Sequence, residues 1–443
     1  MAEADVTPPP AKRQAVEGDS SLGHVVASHY NNIEERGRSE RSKSRIFYMR
    51  NSNNWIKTHL ISYCLEQIRD RQVDHYPVSV LDLGCGKGGD LFKWQKGNIR
   101  HLVCADIAET SMEQCKERYN KTKSRVRGSL FSAEFIVADC TKKRIRPLLD
   151  NPKRQVDLVS CQFAFHYCFE SLPQAETMLR NVAENLKRGG YFVATVPSAY
   201  EIMSRVKAGD GMKCGNEVYR ISFPADRPEK PPLFGDCYNF FLEGVVDCPE
   251  FLVHPPTLQK LAKKWGLEMV WCRNFSTVFQ DALREQDSQR LLSVMQALEQ
   301  YPSRDEPATA SEGEYSHAED HLKAKEGVDA IRTLSKSEKC NLGENWLGRG
   351  VWITERGPLG RANYLQHRGV CPGLLGNGDS LAPAAKQSRR SSCVVCRLSD
   401  HREWTGRGGS AQPAAKTRIL SGPVSRRPSV THTCNGFEGS AGL

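Results

Sequence analysis

Between residues 78 and 196, short apolar runs alternate with stretches whose apolar positions recur every three or four residues. Val78–Leu83 reads as a buried strand, followed by a glycine-rich loop and a helix through Trp94. Leu102–Ile107, Ala133–Ala138, Val156–Gln162 and Tyr191–Val196 read as four more strands. Ser111–Lys123 reads as a helix, and Ala175, Met178, Leu179, Val182 and Leu186 share one face of another, which Gly189-Gly190 is expected to stop. Strands and helices alternating at this spacing predict a doubly wound, mostly parallel sheet covered on both faces.

The pattern changes on either side. Residues 209–256 are rich in Gly, Pro and aromatics and read as an insertion or lid. A helix is expected at Thr257–Trp265, a strand at Leu267–Cys272 and a helix near Ser288–Leu298, with a polar loop over 302–327. Residues 1–22 and everything from Cys340 onward show no sustained period and are expected to be disordered. One domain over residues 23–339 is thus expected, with its core at about 75–200. No internal repeat is visible. From Val25 to Lys57 basic residues interleave with aromatics, which fits either an amphipathic helical lead-in or an edge facing nucleic acid.

Composition adds less. The formal charge is +10, but +8 of it lies beyond Cys340, so net charge says little about the core. No run approaches the ~18 apolar residues of a membrane helix, and the N-terminus lacks the basic-then-apolar signature of a signal peptide. An intracellular chain without membrane association is expected. Of 16 cysteines, eleven precede residue 340 without framework spacing, and Cys104, Cys140 and Cys161 fall on expected buried elements. They read as reduced core residues. Cys393-x-x-Cys396 lacks a properly spaced second pair, so no metal site is assigned.

The stretch Val80-Leu-Asp-Leu-Gly-Cys-Gly-Lys-Gly-Gly-Asp90 closes a strand and opens a helix. Its glycines alone would also suit a dinucleotide. Asp82, however, would repel a pyrophosphate and favour a ligand carrying an ammonium and a sulfonium, which is S-adenosylmethionine. Asp106 ends the second strand, where an acid can take both ribose hydroxyls. Asp139 ends the third, beside the expected adenine, and Gln162, His166 and Tyr167 follow the fourth.

SRIFYMRNSNNWIK (44–57), VLDLGCGKGGDLFKW (80–94), CQFAFHYCFES (161–171), LEGVVDCPEFLV (242–253) and TLSKSE (333–338) closely resemble the eukaryotic mRNA cap guanine-N7 methyltransferases of the animal type. The resemblance runs from about Val25 to Glu338. It implies a Rossmann-like class I S-adenosylmethionine-dependent fold with a cap-binding insertion, and methyl transfer to N7 of the terminal guanosine of GpppN-capped RNA. It implies cofactor contacts at Lys57, Gly84, Asp106, Asp139, Gln162 and Tyr167. It implies cap contacts at Asn53, Asn54, Lys87, Lys93, Arg118, His166 and Glu243. The chemistry agrees. A carboxylate such as Glu243 can accept from the N1–H and N2–H₂ edge of guanine, and the triphosphate bridge suits Lys87, Lys93 and Arg118. Guanine N7 already carries a free lone pair, so no catalytic acid, base or metal is assigned. Nuclear residence, a small RNA-binding activating subunit and association with the transcription machinery follow from the resemblance.

Two departures stand out. The N-terminal extension of the family is short here. After TLSKSE, the family's aromatic-rich last strand, with its cap-contacting tyrosine, gives way to KCNLGENWLGRGVWITERG, in which Val351–Thr354 is strand-like. The chain is therefore expected to lack that strand and to be less stable and less active for it. An inactive module that binds cofactor or cap without turnover stands as the alternative to an active enzyme.

Overall fold

The computed structural model describes residues 22–33, 37–72, 76–303, 310–325, 327–342 and 350–357. The expected disorder of residues 1–21 and of the tail past residue 357 lies outside the described residues. Five strands come first: β1 (Ser79–Leu83), β2 (His101–Asp106), β3 (Ser132–Val137), β4 (Val156–Gln162) and β5 (Leu186–Val196). Next come β6 (Lys213–Gly215), β7 (Tyr219–Ser222), β8 (Cys237–Leu242) and β9 (Val246–Phe251). Last are β10 (Leu267–Asn274), β11 (Glu299–Tyr301), β12 (Ile331–Thr333) and β13 (Gly350–Arg356).

The main sheet has the order β10-β13-β5-β4-β1-β2-β3. β1 to β5 pair in parallel, and β13 runs antiparallel to both β5 and β10. β2 and β4 are buried along their whole length, as expected of parallel strands covered on both faces. One apolar core gathers Leu81, Val159, Phe165, Leu179 and Trp352. A second, including Leu60, Val80, Trp94, Leu158 and Val193, packs under the helix Phe47–Asp70. The basic-aromatic lead-in thus contributes that long helix, whose Trp55 ring is fully buried and donates to Ser288 O at 3.0 Å.

β13 corrects the expected missing strand and the domain limit at residue 339. Val351, Trp352 and Ile353 are each at most 2% exposed and pair with Thr195, Ala194 and Val193 of β5. Val351 and Ile353 enter one core and Trp352 the other. Burial of three such side chains contributes roughly 1.5–3 kcal/mol each. A strand covered on both faces shows no polar-apolar alternation, so its sequence gives little warning of its place.

Three other expectations change. The helix Leu172–Asn185 stops before the glycine pair, and Gly189-Gly190 falls inside β5, where the register against β4 shifts between Val156 and Leu158. The expected 302–327 loop holds a helical turn at Glu312–Tyr315 and a helix at Ser316–Ala324. The insertion forms a four-stranded antiparallel sheet, β6-β7-β8-β9. Among the described residues no helix is long and apolar enough to cross a membrane.

Candidate active site

β1 lies between β2 and β4, so the chain crosses over there, and the loops after β1 and β4 open a crevice at the carboxyl end of the sheet. Open parallel sheets bind ligands at such a point. Gly84, directly after β1, has φ +70°, and a Cβ there would lie 2.5 Å from the Cβ of Ala164. Only glycine permits both the backbone and the approach. Its N–H donates to Ala105 O at 2.8 Å. Asp106 accepts from the N–H groups of Gly86 at 2.7 Å and Ala108 at 2.9 Å, so one carboxylate pins the loop from the next strand. Burial pushes the Asp106 pKa up, while these backbone donors oppose the shift.

A cavity of about 280 Å³ opens on this crevice, and Lys57, Gly84, Asp106, Asp139, Gln162 and Tyr167 all line it. Asp139 is held by the N–H and hydroxyl of Thr141, at 2.9 and 2.7 Å. Gln162 donates to Ser160 Oγ at 3.2 Å, and its buried Oε1 has no hydrogen-bond partner among the described residues.

The structure adds residues that the sequence did not single out. Leu22, Gly23, Val26 and Tyr30 close one side of the cavity. The helix Gly23–Asn32, which carries the last three, is pinned where Thr110 N–H donates to Asn31 Oδ1 at 3.1 Å and Asp247 N–H to His29 Nε2 at 3.3 Å. The Tyr30 and Tyr167 hydroxyls lie 3.2 Å apart. The spacing of Val26 and Tyr30, one helical turn, was the available signal. Leu22, assigned in the sequence to the disordered segment, belongs to this wall.

Asp82 departs from its expected role. It is absent from the cavity wall and accepts from Trp94 Nε1 at 3.2 Å beneath the loop. Burial, then the charge of Asp90, pushes it up to about 8. Of the two acids that bracket the glycine loop, Asp90 is the one that lines the cavity. Burial favours its neutral form, but Lys57 at 2.8 Å and Lys93 at 2.7 Å outweigh this and hold it at about 2.

At the Tyr167 end, toward the insertion, lies a second polar group. His166, 2% exposed, packs against Tyr167 with ring centroids 4.3 Å apart and the planes tilted by 41°. Its Nε2 lies 3.3 Å from Glu250 Oε1, yet neither ring nitrogen has a well-aligned hydrogen-bond partner among the described residues. Glu250 is buried on β9 and accepts from Tyr238 Oη at 2.8 Å across the strand pair.

The expected cap contacts divide. Asn53 and Asn54 share the helix Phe47–Asp70 with Lys57, and Asn53 Oδ1 is buried without a hydrogen-bond partner among the described residues. Lys87 donates to Ile33 O at 2.8 Å, Arg118 is half-buried on the helix Glu109–Arg125, and Lys93 is buried against Asp90. Burial lowers the Lys93 pKa. Glu243 is exposed on the turn between β8 and β9 and does not reach the cavity wall. Glu250, by contrast, is a buried carboxylate of the insertion, as is Asp236, which is paired with Arg227. Val246, Cys248 and Glu250 share the buried face of β9, and that period of two was the legible clue.

This sheet order, antiparallel strand and cofactor loop define a class I S-adenosylmethionine-dependent methyltransferase. A family model described as the mRNA (guanine-N(7))-methyltransferase domain matches residues 13–341. The chain belongs to that family. It is 48% identical over 322 residues to the mRNA cap guanine-N(7) methyltransferase of Drosophila melanogaster, covering 71% of this chain and 74% of the fly protein. The Caenorhabditis elegans protein of the same description is 39% identical over 319 residues, covering 71% and 82%. That of Schizosaccharomyces pombe is 35% identical over 288 residues, covering 64% and 77%. The family match stops short of β13, so the strand completing this sheet lies beyond the matched residues.

Proposed function

We propose that this chain transfers a methyl group from S-adenosylmethionine to N7 of the terminal guanosine of capped RNA. The observation that carries this reading is the cavity at the sheet crossover, which gathers the six expected cofactor residues, among them Gln162 with its unpaired buried Oε1. Buried polar atoms are ordinarily paired, so an orphan in a cavity wall points to a ligand. Next to Tyr167, outside that wall, lies the buried His166–Glu250 pair.

The residues fit the cofactor. Asp106 retains lone pairs for two ribose hydroxyls beyond its backbone bonds, and Asp139 and Gln162 flank the space expected for adenine. Asp90 and Lys57 supply a carboxylate and an ammonium for the oppositely charged ends of the methionine moiety. When bound, S-adenosylmethionine supplies an electrophilic methyl group on a good leaving group. Tyr167 and His166 position the guanine ring, and Glu250 accepts from its N1–H and N2–H₂ edge, the role expected of Glu243. Lys87 and Arg118 face the triphosphate bridge. Guanine N7 needs no deprotonation, so these side chains contribute orientation and a preorganised field. Nuclear residence and a small RNA-binding activating subunit belong to the same proposal, as does association with the transcription machinery.

Base selectivity tests it. Protein saturated with S-adenosylhomocysteine should bind GpppG well above ApppA, because adenine presents a different edge to Glu250. Equal affinities would refute the assignment of a guanine site.

A further inference from the structure

Cys85, Cys104 and Cys115 come from the cofactor loop, β2 and the helix Glu109–Arg125, and their three sulfurs lie within 4.8 Å of one another. Cys104 and Cys115 are 1% and 0% exposed, while Cys85 is half-buried and lines the cofactor cavity. A single buried thiol is ordinary packing. Three thiols from three separate elements meeting at one point are a donor set, and glycine keeps room for it. A Cβ on Gly88 would stand 2.7 Å from Cys115 Sγ.

We propose that Cys85, Cys104 and Cys115 form a three-coordinate site for one soft monovalent metal ion of the Cu(I) class, directly behind the cofactor loop. Among the described residues, no histidine or carboxylate atom joins the three sulfurs. Cu(I) is satisfied by thiolates alone, whereas Zn(II) in structural sites takes four ligands. Metal–sulfur distances near ~2.3 Å place the sulfurs of such a site roughly 4 Å apart, so closure needs only a small contraction. As the Cu–S bonds form, the three thiols lose their protons to solvent, and no electron changes hands. The cavity wall at Cys85 is the entry path, and closure there pulls on the loop between Gly84 and Gly86.

The test uses the full-length chain carrying Cys393→Ser and Cys396→Ser, which removes a competing dithiol. Anaerobic titration with Cu(I) against a chromophoric chelator should show one tightly held ion per chain. X-ray absorption of the loaded protein should show three sulfur neighbours. Adding Cys115→Ser should weaken binding by more than the roughly 10- to 100-fold that loss of an outer-shell partner costs, while adding Cys272→Ser, at an exposed position, should change nothing. Cys85→Ser, at a half-buried loop position, serves as the second variant should Cys115→Ser fail to fold. Unchanged affinity in a folded cluster variant, two sulfur neighbours, or four-coordinate Zn(II) held in preference to Cu(I) would overturn the proposal.

Discussion

Replacing Asp106 with alanine should weaken cofactor binding far more than it weakens the fold. In the structure the carboxylate receives Gly86 N–H at 2.7 Å and Ala108 N–H at 2.9 Å, and it lines the cavity where the ribose is proposed to sit. A bond to a charged acceptor contributes about 1.5–3 kcal/mol. Loss of even one of the two ribose bonds therefore predicts a roughly 10- to 150-fold rise in Kd. Losing the Gly86 tether adds to this, because the loop must then be ordered by the ligand itself. Stability should change less, since two unpaired N–H groups are offset by removal of a carboxylate whose burial already favours its neutral form. Calorimetric titration of wild type and Asp106→Ala with S-adenosylhomocysteine, alongside thermal melts, separates the two effects. An unchanged Kd in a folded variant would refute the placement of the ribose.

Glu250→Gln should lower kcat/KM on capped RNA by about 10- to 100-fold, because an amide turns a donor toward guanine N–H groups, while Glu243→Gln stays near wild type. Steady-state methyl transfer with each variant checks this, and a larger loss at Glu243 would reverse the assignment. A chain ending at residue 349 should fail to fold, since it leaves β5 and β10 without the strand between them. One ending at residue 357 should melt like the full chain, as judged by calorimetry. Burial raises Glu338 from 4.5 to about 7, despite donors from Met49 and Ser335. The folded state therefore binds the extra proton between those values, and this contribution to stability is present below about 4.5 and lost as pH rises through 7. Denaturant titrations of Glu338→Gln should show a flatter dependence across that window.

The parallel half of the sheet was legible because each strand is an apolar run closed by a chemically informative residue: Gly84 after β1, Asp106 at the end of β2 and Gln162 at the end of β4. The cavity followed from the same residues. What was not legible depends on contacts between distant parts of the chain. Asp82 and Asp90 bracket the same loop, and only the position of Trp94 and the two lysines decides which acid is neutralised beneath it and which faces the cavity. Gly189-Gly190 carries a helix-stop signature, yet tertiary pairing with β4 turns it into an irregularity within β5. Trp352 and its neighbours follow a glycine-rich stretch and are apolar on both faces, so no local pattern distinguishes a central strand from a short run in a tail. Glu243, which the resemblance assigns to the donor edge, lies exposed on the turn between β8 and β9, and the alternation along β9 turns Glu250 inward.

Methylation of the cap guanine at N7 by this chain can be read directly from single-turnover methyl transfer. The full-length protein and methyl-labelled S-adenosylmethionine are mixed with GpppG-capped RNA, and the released cap is identified by mass spectrometry against m7GpppG. Label should be confined to N7 of the terminal guanosine, with none transferred to uncapped RNA of the same sequence. Label elsewhere on the RNA, or no transfer by a folded chain that binds the cofactor, would contradict it.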